Sequence, residues 1–563
     1  METLSGAQIL VRTLIDQGVD TIFGYPGGTV IDIYDALYDV ADRLRHIETT
    51  HEQHAAHAAD GYARATGKTG VVLATSGPGA TNLVTGIATA YLDSVPMVAI
   101  TGNVAGSVIG TDAFQELDIT GVTLPITKHN YFVRDIERLQ DTVSEAFALA
   151  NSGRPGPVLV DIAKDVQEAR YTYEPKEPIA PRPHRVPSHD VIAAAAEVIN
   201  EAKRPFVYVG GGVIASGAGN EVVALAERIG APMGCSLMGI SGVPTNHPQF
   251  LGMQGMHGHY ACTMAMDDSD CVIALGARFN DRATGDRSKF RPSGKVVRID
   301  IDSSELNKTL IDRVDVRSDV KVALRELLPL LEHNEHVEWM RGVGRLRARE
   351  EGFADYREGL CPKTIMEAID AHRSADMPLV TDVGQHQMWA AQYLSFTKPR
   401  TFVSSGGLGT MGFGLGAALG AALATGQRTL LVTGDGCFAM NMAELITAAD
   451  HGIPVTVVLL NNGVLGMVRQ WQSLFYGQRH SNTTLNRKAD YVALAQALGA
   501  QAWRVARVDE LNETLDRALA HDGPTLIECP VDKDEFVTPM LPTGATMSEM
   551  VVNMDDVNQR LGR

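Results

Sequence analysis

Short apolar runs that end in glycine, aspartate or asparagine, each followed by a helical pattern, constrain the fold of this chain most. Four of them lie near the amino terminus: VDTIFGYPGG, TGVVLATSGPGATN, VPMVAITGN and GPVLVDIAKDV. A continuous β-branched run is typical of a strand buried on both faces, as in a parallel sheet covered by helices. The pattern therefore predicts an α/β architecture with ligand-binding loops at the carboxyl ends of the strands.

Composition divides the 563 residues into three blocks of this kind. The central block contains RPFVYVGGGV, CVIALGARF and KVVRIDIDSS, and the third contains MPLVTDVGQ, RTLLVTGDG, IPVTVVLLNN and PTLIECPV. We predict three open parallel-sheet α/β domains, at residues 1–170, 191–335 and 362–563. A proline-rich linker at 171–190 and a charged linker at 336–361 would join them.

The bulk charge and the cysteines disfavour several classes of protein. A net charge of −18 argues against nucleic acid or an anionic membrane as the main partner, because both attract basic surfaces. The six cysteines include no C-x-x-C pair, so neither a zinc ribbon nor a disulfide framework is indicated. We recognise no signal peptide and no apolar run of membrane length, and we expect a cytoplasmic protein.

The strongest chemical signal lies in the third block. TLLVTGDGCF places Gly434, Asp435 and Gly436 at the end of one strand, and VTVVLLNNG places Asn462 at the end of the next. In a right-handed crossover both strand ends face one crevice, so these side chains can supply oxygens to one Mg²⁺. The backbone carbonyl of Val464 is a candidate third ligand. Either motif alone would usually be a turn, but the two together after adjacent strands predict a metal–diphosphate site.

The stretch THEQHAAHAADGY at residues 50–62 looks at first like a zinc motif. Its histidines, His51, His54 and His57, are three residues apart, whereas H-E-x-x-H places two histidines four apart on one helix face. The spacing therefore disfavours a zinc site and leaves these histidines as surface or core residues of a helix. The neighbouring Glu52 remains to be explained.

Together these motifs resemble those of the thiamine-diphosphate enzymes, and nearly the whole chain is similar to the large, catalytic subunits of acetolactate synthases. The resemblance implies a thiamine-diphosphate-binding fold with a Rossmann-like central domain, and the cofactors thiamine diphosphate, Mg²⁺ and FAD. The stretches that carry it are FGYPGG, HEQ, DGYARATGK, SGPGATN, IGTDAFQE, ITKHN, SGRPGPVLVDI, GMHG, GARFNDR, TDVGQHQMWAAQ, SSGGLGTMGFGLG, GDG, LNNGVLGMVRQWQSLFY and PMLPTGA.

The activity that the resemblance implies is carboligation of 2-keto acids. Pyruvate would be decarboxylated and its hydroxyethyl unit transferred to a second pyruvate or to 2-ketobutyrate. The products, 2-acetolactate and 2-aceto-2-hydroxybutyrate, are precursors of valine, leucine and isoleucine. The resemblance also implies a homodimer or tetramer with the active site at the subunit interface, and it allows for a small regulatory subunit. A thiamine-diphosphate oxidase with a redox-active flavin, and a nucleotide-sensing module without turnover, are the alternatives.

The resemblance assigns the residues around thiamine diphosphate. Glu52 would bond N1′ of the aminopyrimidine and act in catalysis together with Gln115 and Lys164. His54 stands where the family commonly has glycine. The implied cofactor contacts, besides Glu52, are Pro26, Gly27, Pro78, Asn82, Gly384, Gln385, His386, Gly409, Met411, Gly434, Asp435, Gly436, Asn462 and Met467.

The resemblance also assigns the substrate and flavin residues. Arg282 would bind the carboxylate of the acceptor, and Trp471 would pack on the extra methyl group of 2-ketobutyrate. The other implied substrate residues are Phe114, Gln115 and Met256. The motif GARFNDR favours the FAD-containing branch, in which the flavin does no net redox work. The implied FAD contacts are Arg154, Gly210, Gly211, Gly212, Met256, His257, Gly276, Arg278, Asp300, Asp302 and Asp319.

Overall fold

Three six-stranded parallel sheets follow one another along the chain, and they confirm the predicted α/β class. The computed structural model describes residues 2–180, 183–284, 294–306, 308, 313–353, 359–485, 488–542, 544–545 and 549–562. We call the parts built around the sheets the first, central and third domains. In the described residues no helix has both the length and the apolar character needed to cross a bilayer.

The first sheet has the order β3-β2-β4-β5-β7-β6, and β1 and β8 form a separate antiparallel pair. Its elements are β1 (Glu2–Ser5), α1 (Gly6–Asp16), β2 (Thr21–Gly24), α2 (Ile31–Tyr38), β3 (Arg45–Glu48), α3 (Glu52–Thr66), β4 (Gly70–Ala74), α4 (Pro78–Asn82), α5 (Val84–Asp93), β5 (Met97–Asn103), α6 (Ile119–Thr123), β6 (His129–Val133), α7 (Ile136–Asn151), β7 (Pro157–Ala163), α8 (Lys164–Glu168) and β8 (Arg170–Tyr173).

The central sheet has the order β11-β10-β9-β12-β13-β14. Counted within the domain this is 3-2-1-4-5-6, the order typical of dinucleotide-binding sheets. Its elements are α9 (His189–Asn200), β9 (Pro205–Val209), α10 (Gly211–Ser216), α11 (Gly219–Arg228), β10 (Met233–Cys235), β11 (Phe250–Met253), α12 (Tyr260–Asp268), β12 (Cys271–Leu275), α13 (Asp281–Thr284), β13 (Lys295–Asp300), α14 (Ser303–Leu306), β14 (Arg313–Arg317), α15 (Val320–Leu327) and α16 (Val337–Glu351).

The third sheet has the order β16-β15-β17-β18-β20-β19. Its elements are α17 (Pro362–His372), β15 (Leu379–Thr381), α18 (Gln385–Tyr393), β16 (Phe402–Val403), α19 (Gly414–Thr425), β17 (Thr429–Gly434), α20 (Asp435–Asn441), α21 (Glu444–Asp450), β18 (Val455–Asn461), α22 (Gly466–Phe475), α23 (Tyr491–Ala497), β19 (Gln501–Arg504), α24 (Val508–Ala520), β20 (Thr525–Pro530) and α25 (Met554–Leu561). Single 3₁₀ turns occupy Gly28–Val30, Gly106–Val108, Leu124–Ile126, Leu237–Gly239 and Leu328–Leu330.

The first and third sheets share one topology. Counted within each domain, both have the strand order 2-1-3-4-6-5. The order reverses between β2 and β4 in the first sheet and between β15 and β17 in the third, and ligands of open α/β sheets bind at such reversals. Each of these two domains therefore has one expected ligand crevice, at the carboxyl ends of those strands.

The charged segment at 336–361 contains α16, which packs on the central domain. Trp339 and Val343 of this helix are buried in a cluster with Phe206, Tyr208 and Val272. The indole N–H of Trp339 donates to the carbonyl of Pro205 at 3.0 Å. This part of the segment is thus a helix packed on the central domain, because its apolar residues lie on one face. The domain boundaries themselves stay predictions.

Helices α3 and α19 join the first and third domains with their backbones in close contact. A Cβ atom at Gly420 would lie 1.9 Å from the carbonyl oxygen of Ala58, and one at Gly61 would lie 2.1 Å from that of Ala417. Only glycine fits at such a separation. Because Glu52 is the first residue of α3, this contact also helps to fix where Glu52 lies.

We expect Gly420→Ala to destabilise the protein by about 1–3 kcal/mol, since the added methyl group meets backbone that cannot turn away. The same change at Gly344, in the exposed middle of α16, meets no atom within 4 Å. There the higher helix propensity of alanine should raise stability slightly, by up to about 1 kcal/mol. Thermal or urea unfolding of both variants checks this, and a Gly420 variant as stable as the Gly344 variant would contradict the close contact.

Candidate functional site

The loops after β17 and β18 lie side by side at the carboxyl edge of the third sheet. Gly434, the last residue of β17, pairs in register with Leu460 of β18. Asp435 follows at the start of α20 and is 2 % exposed. Asn462 follows the end of β18. The two predicted metal-binding side chains therefore leave neighbouring strands at the same edge.

Hydrogen bonds orient the amide of Asn462. Its Nδ2 donates to Oε1 of Gln385 at 3.3 Å, and its Oδ1 accepts the N–H of Val464 at 3.1 Å. Val464 faces Thr484 in a bridge whose two bonds use the carbonyl of Gly463 and the N–H of Leu465. The carbonyl of Val464 lies outside that bridge. Local hydrogen bonds thus hold the two proposed metal-binding oxygens of this loop, Oδ1 of Asn462 and the carbonyl of Val464, and both oxygens can still bind a metal ion.

The start of α18 completes the crevice between β15 and β17. A Cβ atom at Gly434 would lie 3.0 Å from Nδ1 of His386, and one at Gly466 only 1.9 Å from Oε1 of Gln385. Burial lowers the pKa of His386 to about 3, so the ring is neutral. Its Nε2 is buried with no hydrogen-bond partner among the described residues. Small residues around an unsatisfied buried ring nitrogen leave room for a bound polar group.

Two methionines predicted to touch the cofactor lie close to this crevice. A Cβ atom at Gly436 would lie 3.6 Å from Cε of Met411, so Met411 reaches the G-D-G loop. Gly409 precedes it in the same loop. Met467 lies in the first turn of α22, which begins soon after Asn462. An apolar, adaptable wall therefore borders the polar loops.

Asp382 organises the loop that carries Met411, and sequence reasoning missed it. The side chain is fully buried and accepts the N–H groups of Gly412 at 2.9 Å and Gly414 at 3.1 Å. It also accepts Nδ2 of Asn441 at 3.2 Å. Its position directly after the strand LVT was an available signal, since polar residues at the end of a buried parallel strand often serve the site.

The first domain brings a second group of predicted residues together. Oε2 of Glu52 accepts a hydrogen bond from Nδ2 of Asn82 at 2.9 Å. A Cβ atom at Gly79 would lie 3.1 Å from Oε1 of Glu52, and one at Gly77 would lie 3.0 Å from Cβ of Gln115. The loop that begins with Gly77 and Pro78 therefore borders both Glu52 and Gln115.

The loop with Pro26 and Gly27 lies beside the same strand end. A Cβ atom at Gly27 would lie 2.5 Å from side-chain atoms of Thr75. Oγ1 of Thr75 accepts the N–H of Thr29 at 3.2 Å and is 2.9 Å from its Oγ1. The residues after β2 and β4 thus meet at the reversal of the first sheet, where a ligand crevice is expected.

The three histidines near Glu52 have partners other than a metal. Nδ1 of His51 accepts the N–H of Gln53 at 3.1 Å and caps α3. Nδ1 of His54 lies 2.9 Å from Oε1 of Glu444. His57 is fully buried, and burial lowers its pKa to about 3. Among the described residues no group of three His, Cys, Asp or Glu side chains is arranged to hold a metal ion.

Glu444 is a second residue that sequence reasoning missed. It begins α21, and its side chain is fully buried. The signal was an acid between the apolar residues Ala443 and Leu445 in the helical run AMNMAELITAAD. A buried carboxylate requires partners, but two of them, Thr50 and His54, lie in the first domain and could not be read from the sequence nearby.

Three of the predicted substrate residues meet where the central and third domains join. The guanidinium carbon of Arg282 lies 5.5 Å from the centre of the Trp471 ring, and its Nη1 is 3.3 Å from Sδ of Met256. The Arg282 side chain remains 61 % exposed. Trp471 packs beside a cluster that contains Met256 and Phe536. The arrangement presents a cation on an apolar wall.

The other two substrate or catalytic candidates lie on the first domain, and in the single chain they face outward. Phe114 is 88 % exposed. Nζ of Lys164 forms ion pairs with Asp32 at 2.8 Å and with Glu168 at 3.3 Å. Among the described residues, no hydrogen bond or ion pair joins Phe114 or Lys164 to Arg282 or Trp471. The structure of one chain therefore does not bring all predicted substrate residues together.

The glycines among the predicted flavin residues lie at the reversal of the central sheet. The N–H of Gly210 donates to Leu275 at 3.0 Å, and that of Gly212 donates to Gly276 at 3.1 Å. These bonds join the loops after β9 and β12, the two strands that flank the reversal. Gly211 lies between the two glycines and Arg278 follows Gly276. Close backbone approach of this kind suits a bound dinucleotide.

Three acids and a histidine are also predicted to contact the flavin, and each has identifiable neighbours. Burial raises the pKa of Asp300 to about 6. Arg154 of the first domain donates to Asp302 at 3.2 Å, and Asp319 caps α15 by accepting the N–H of Val322. His257 is buried, its pKa is lowered to about 4 by burial and by the nearby Arg282, and its Nε2 lacks a partner among the described residues.

Comparisons with known proteins agree with this geometry. Models of three thiamine pyrophosphate enzyme domains match the chain: the N-terminal TPP binding domain at 4–122, the central domain at 192–327 and the C-terminal TPP binding domain at 382–529. The isozyme 2 large subunit of acetolactate synthase from Escherichia coli K12 is 45 % identical over 97 % of this chain and 99 % of its own length. The large subunit from Corynebacterium glutamicum is 45 % identical over 98 % of this chain and 90 % of its own length. At this identity over nearly its whole length, the chain belongs to the acetolactate synthase family of thiamine pyrophosphate enzymes.

Proposed function

We propose that this chain is the catalytic subunit of an acetolactate synthase. It would decarboxylate pyruvate and join the two-carbon unit to a second pyruvate or to 2-ketobutyrate, a step of branched-chain amino acid biosynthesis. The observation that carries the proposal is the contact of Arg282 with Trp471 and Met256. A short 2-keto acid needs a cation for its carboxylate and an apolar surface for its alkyl group. Arg282 and Trp471 supply both, and Trp471 lies on α22, which begins beside the metal–diphosphate loops.

Thiamine diphosphate and Mg²⁺ fit the third domain. Asp435, the amide oxygen of Asn462 and the carbonyl of Val464 supply the hard oxygens that Mg²⁺ prefers. The glycines of the G-D-G loop would hold the diphosphate, together with His386, whose buried Nε2 has no hydrogen-bond partner among the described residues. When bound, thiamine diphosphate supplies the electron sink for loss of CO₂ from a 2-keto acid.

Glu52 would exchange a proton with N1′ of the aminopyrimidine. Asn82 donates a hydrogen bond to Oε2 of Glu52, and this bond fixes the carboxyl group while leaving Oε1 for the cofactor. A positioned carboxyl group of this kind is a standard proton carrier in catalysis. Gln115, next to Gly77 in the same crevice, would orient the substrate there.

Arg282 and Trp471 would select the acceptor. The guanidinium binds the carboxylate of the incoming 2-keto acid, and the indole face takes its alkyl group. Because Arg282 also lies over the Trp471 ring, a change at Trp471 affects both the wall and the position of the cation.

We expect Trp471→Leu to lower the preference for 2-ketobutyrate over pyruvate by about 10-fold or more, since one methyl group in an apolar pocket is worth about 10–200-fold. The ratio of the two products formed from a mixture of both acids measures it. Trp503→Leu, a tryptophan on the edge strand β19, is the control and should leave the ratio unchanged. An unaltered ratio in the Trp471 variant would remove this residue from the acceptor site.

The central domain would hold FAD at the reversal of its sheet. The 3-2-1-4-5-6 order and the glycine contacts between β9 and β12 support this placement. So does the buried Nε2 of His257, which has no hydrogen-bond partner among the described residues. We assign no redox step to it. The visible absorbance of the purified protein tests the assignment, and Gly276→Val should abolish the flavin bands because the new side chain would meet the backbone of Gly212.

We also propose that the active site is shared between two copies of the chain. Phe114 is 88 % exposed and the apolar side chains of Leu124 and Ile31 are 70 % and 61 % exposed, which suits a surface covered by a second subunit. A shared site is compatible with a dimer or a tetramer of this chain. It is also compatible with the binding of an additional small regulatory subunit. Light scattering on the purified protein distinguishes a single chain from these assemblies.

A further inference from the structure

A single buried carboxylate in the third domain is bonded to both sides of Glu52. Oε1 of Glu444 accepts Oγ1 of Thr50 at 2.5 Å, the N–H of Thr50 at 3.1 Å and Nδ1 of His54 at 2.9 Å. Its Oε2 accepts Oγ1 of Thr447 at 2.7 Å. Thr50 stands two residues before Glu52 and His54 stands two residues after it, so Glu444 brackets Glu52 along the chain.

These bonds define the entry of the chain into α3. Thr50 lies in the turn between β3 and α3, and His54 lies in the first turn of the helix. The position of Glu52 relative to the third domain therefore depends on Glu444, which is 0 % exposed, and on the 7 % exposed His54. Glu444 begins the helix that follows α20, the helix opened by Asp435.

The charge on Glu444 is retained in the fold. Burial raises the pKa of its carboxyl group, but the hydrogen bonds from His54, Thr50 and Thr447 outweigh burial and leave the pKa below its ordinary value. Hydrogen bonds to a buried carboxylate are shorter and stronger than those between neutral groups. An unpaired carboxylate at this depth would be costly, so losing the His54 donor should shift the chain on one side of Glu52.

We propose that His54 is a positioning residue for Glu52, acting through Glu444. His54 has no assigned contact with cofactor or substrate. The inference rests on the proton-carrying role proposed for Glu52. A side chain without a hydrogen-bond donor at position 54 cannot make this bond.

Other contacts hold the two domains together without His54. Glycines of α19 pack on α3. Arg64, near the other end of α3, donates to the carbonyl of Ser404 at 2.9 Å. Asp93 of the first domain accepts the N–H groups of Gly406 at 3.1 Å and Gly407 at 2.7 Å. Removing the His54 bond should therefore displace the start of α3 while the domains stay joined and the protein stays folded.

The test compares His54→Leu, which keeps apolar bulk without a donor, with His54→Asn, whose Nδ2 lies close to the position of the histidine Nδ1. The readout is the exchange of the thiazolium C2 proton of bound thiamine diphosphate for deuterium, followed by NMR without substrate. We expect exchange in His54→Leu to be slowed about 10- to 100-fold, because displacing a catalytic group by up to about 1 Å can lower a rate by that much. His54→Asn should retain most of the wild-type rate, and both should bind thiamine diphosphate with similar affinity.

Two controls separate the possible failures. His57→Gln changes a buried histidine of the same helix that has no carboxylate partner, and it should alter the unfolding midpoint but not the exchange rate. Glu52→Gln, measured in parallel, reports on the proposed function itself. Wild-type exchange in Glu52→Gln would overturn the role of Glu52 and with it this inference.

If Glu52→Gln loses exchange but His54→Leu exchanges at the wild-type rate, the positioning role is wrong and the proposed function stands. Equal slowing in His54→Leu, His54→Asn and His57→Gln would also overturn it, because that pattern indicates general loosening of α3. Should His54→Leu fail to fold, Thr50→Val removes the hydroxyl bond on the other side of Glu52 and must slow exchange in the same way.

Discussion

Glu52→Gln should lower turnover with pyruvate by about 10²–10⁴-fold, the usual contribution of a positioned proton carrier. The variant keeps the size of the side chain and an acceptor for Nδ2 of Asn82, so thiamine diphosphate should still bind. What it loses is the ability to exchange a proton with N1′. Steady-state kinetics together with a cofactor-binding titration measure the two properties separately.

The matched control for this variant is Glu48→Gln. Glu48 lies at the exposed end of β3, four positions before Glu52, and the same charge change there should leave turnover within about twofold. Full activity in Glu52→Gln would refute the role of this residue. Loss of both turnover and cofactor binding would mean that Glu52 holds the cofactor and does not act mainly on its proton.

Asp435→Asn should weaken the joint binding of Mg²⁺ and thiamine diphosphate by at least about 100-fold. Mutating a residue that only hydrogen-bonds a metal ligand often lowers metal affinity by about 10–100-fold, and loss of a ligand should cost at least as much. The side chain is 2 % exposed and opens α20 between two glycines. The amide keeps its shape but loses the charge that the metal requires. The rise in unfolding temperature on adding both ligands reports the binding, because a ligand bound only to the folded state stabilises it.

Asp450→Asn, an exposed acid at the end of α21, is the control and should bind like the wild type. Unchanged ligand-induced stabilisation in Asp435→Asn would exclude Asp435 as a metal ligand.

The variants Glu52→Gln and Asp435→Asn can also be co-expressed. If each site combines Glu52 of one copy with Asp435 of the other, mixed dimers hold one unaltered site, and about a quarter of wild-type activity should return. No recovery would place both residues in the same chain's site.

The inner strands of the sheets could be predicted from the sequence, and several edge strands could not. The stretches containing β4, β5, β17 and β18 are continuous apolar runs because these strands are buried on both faces by helices. The edge strands β14 (RVDVR) and β19 (QAWR) interleave charged or polar residues with apolar ones and give no such pattern. Strand order is also absent from the local pattern, because it depends on how the crossovers pack.

The candidate site divides in a similar way. Asp435, Asn462 and Glu52 stand at strand ends or helix starts, in motifs that can be read from the sequence itself. Asp382 and Glu444 act on loops and helices far away in the sequence: Glu444 reaches His54 across 390 positions. Such contacts are fixed by the packing of α3 on α19, which a single sequence does not reveal.

The central claim is carboligation without net oxidation, and one product analysis tests it most directly. Purified protein is supplied with thiamine diphosphate, Mg²⁺ and pyruvate, with no electron acceptor, and the products are identified by NMR. The account predicts 2-acetolactate and CO₂ from two molecules of pyruvate, and 2-aceto-2-hydroxybutyrate when 2-ketobutyrate is added. Flavin reduction or peroxide formation with no 2-acetolactate would contradict it and identify an oxidase instead.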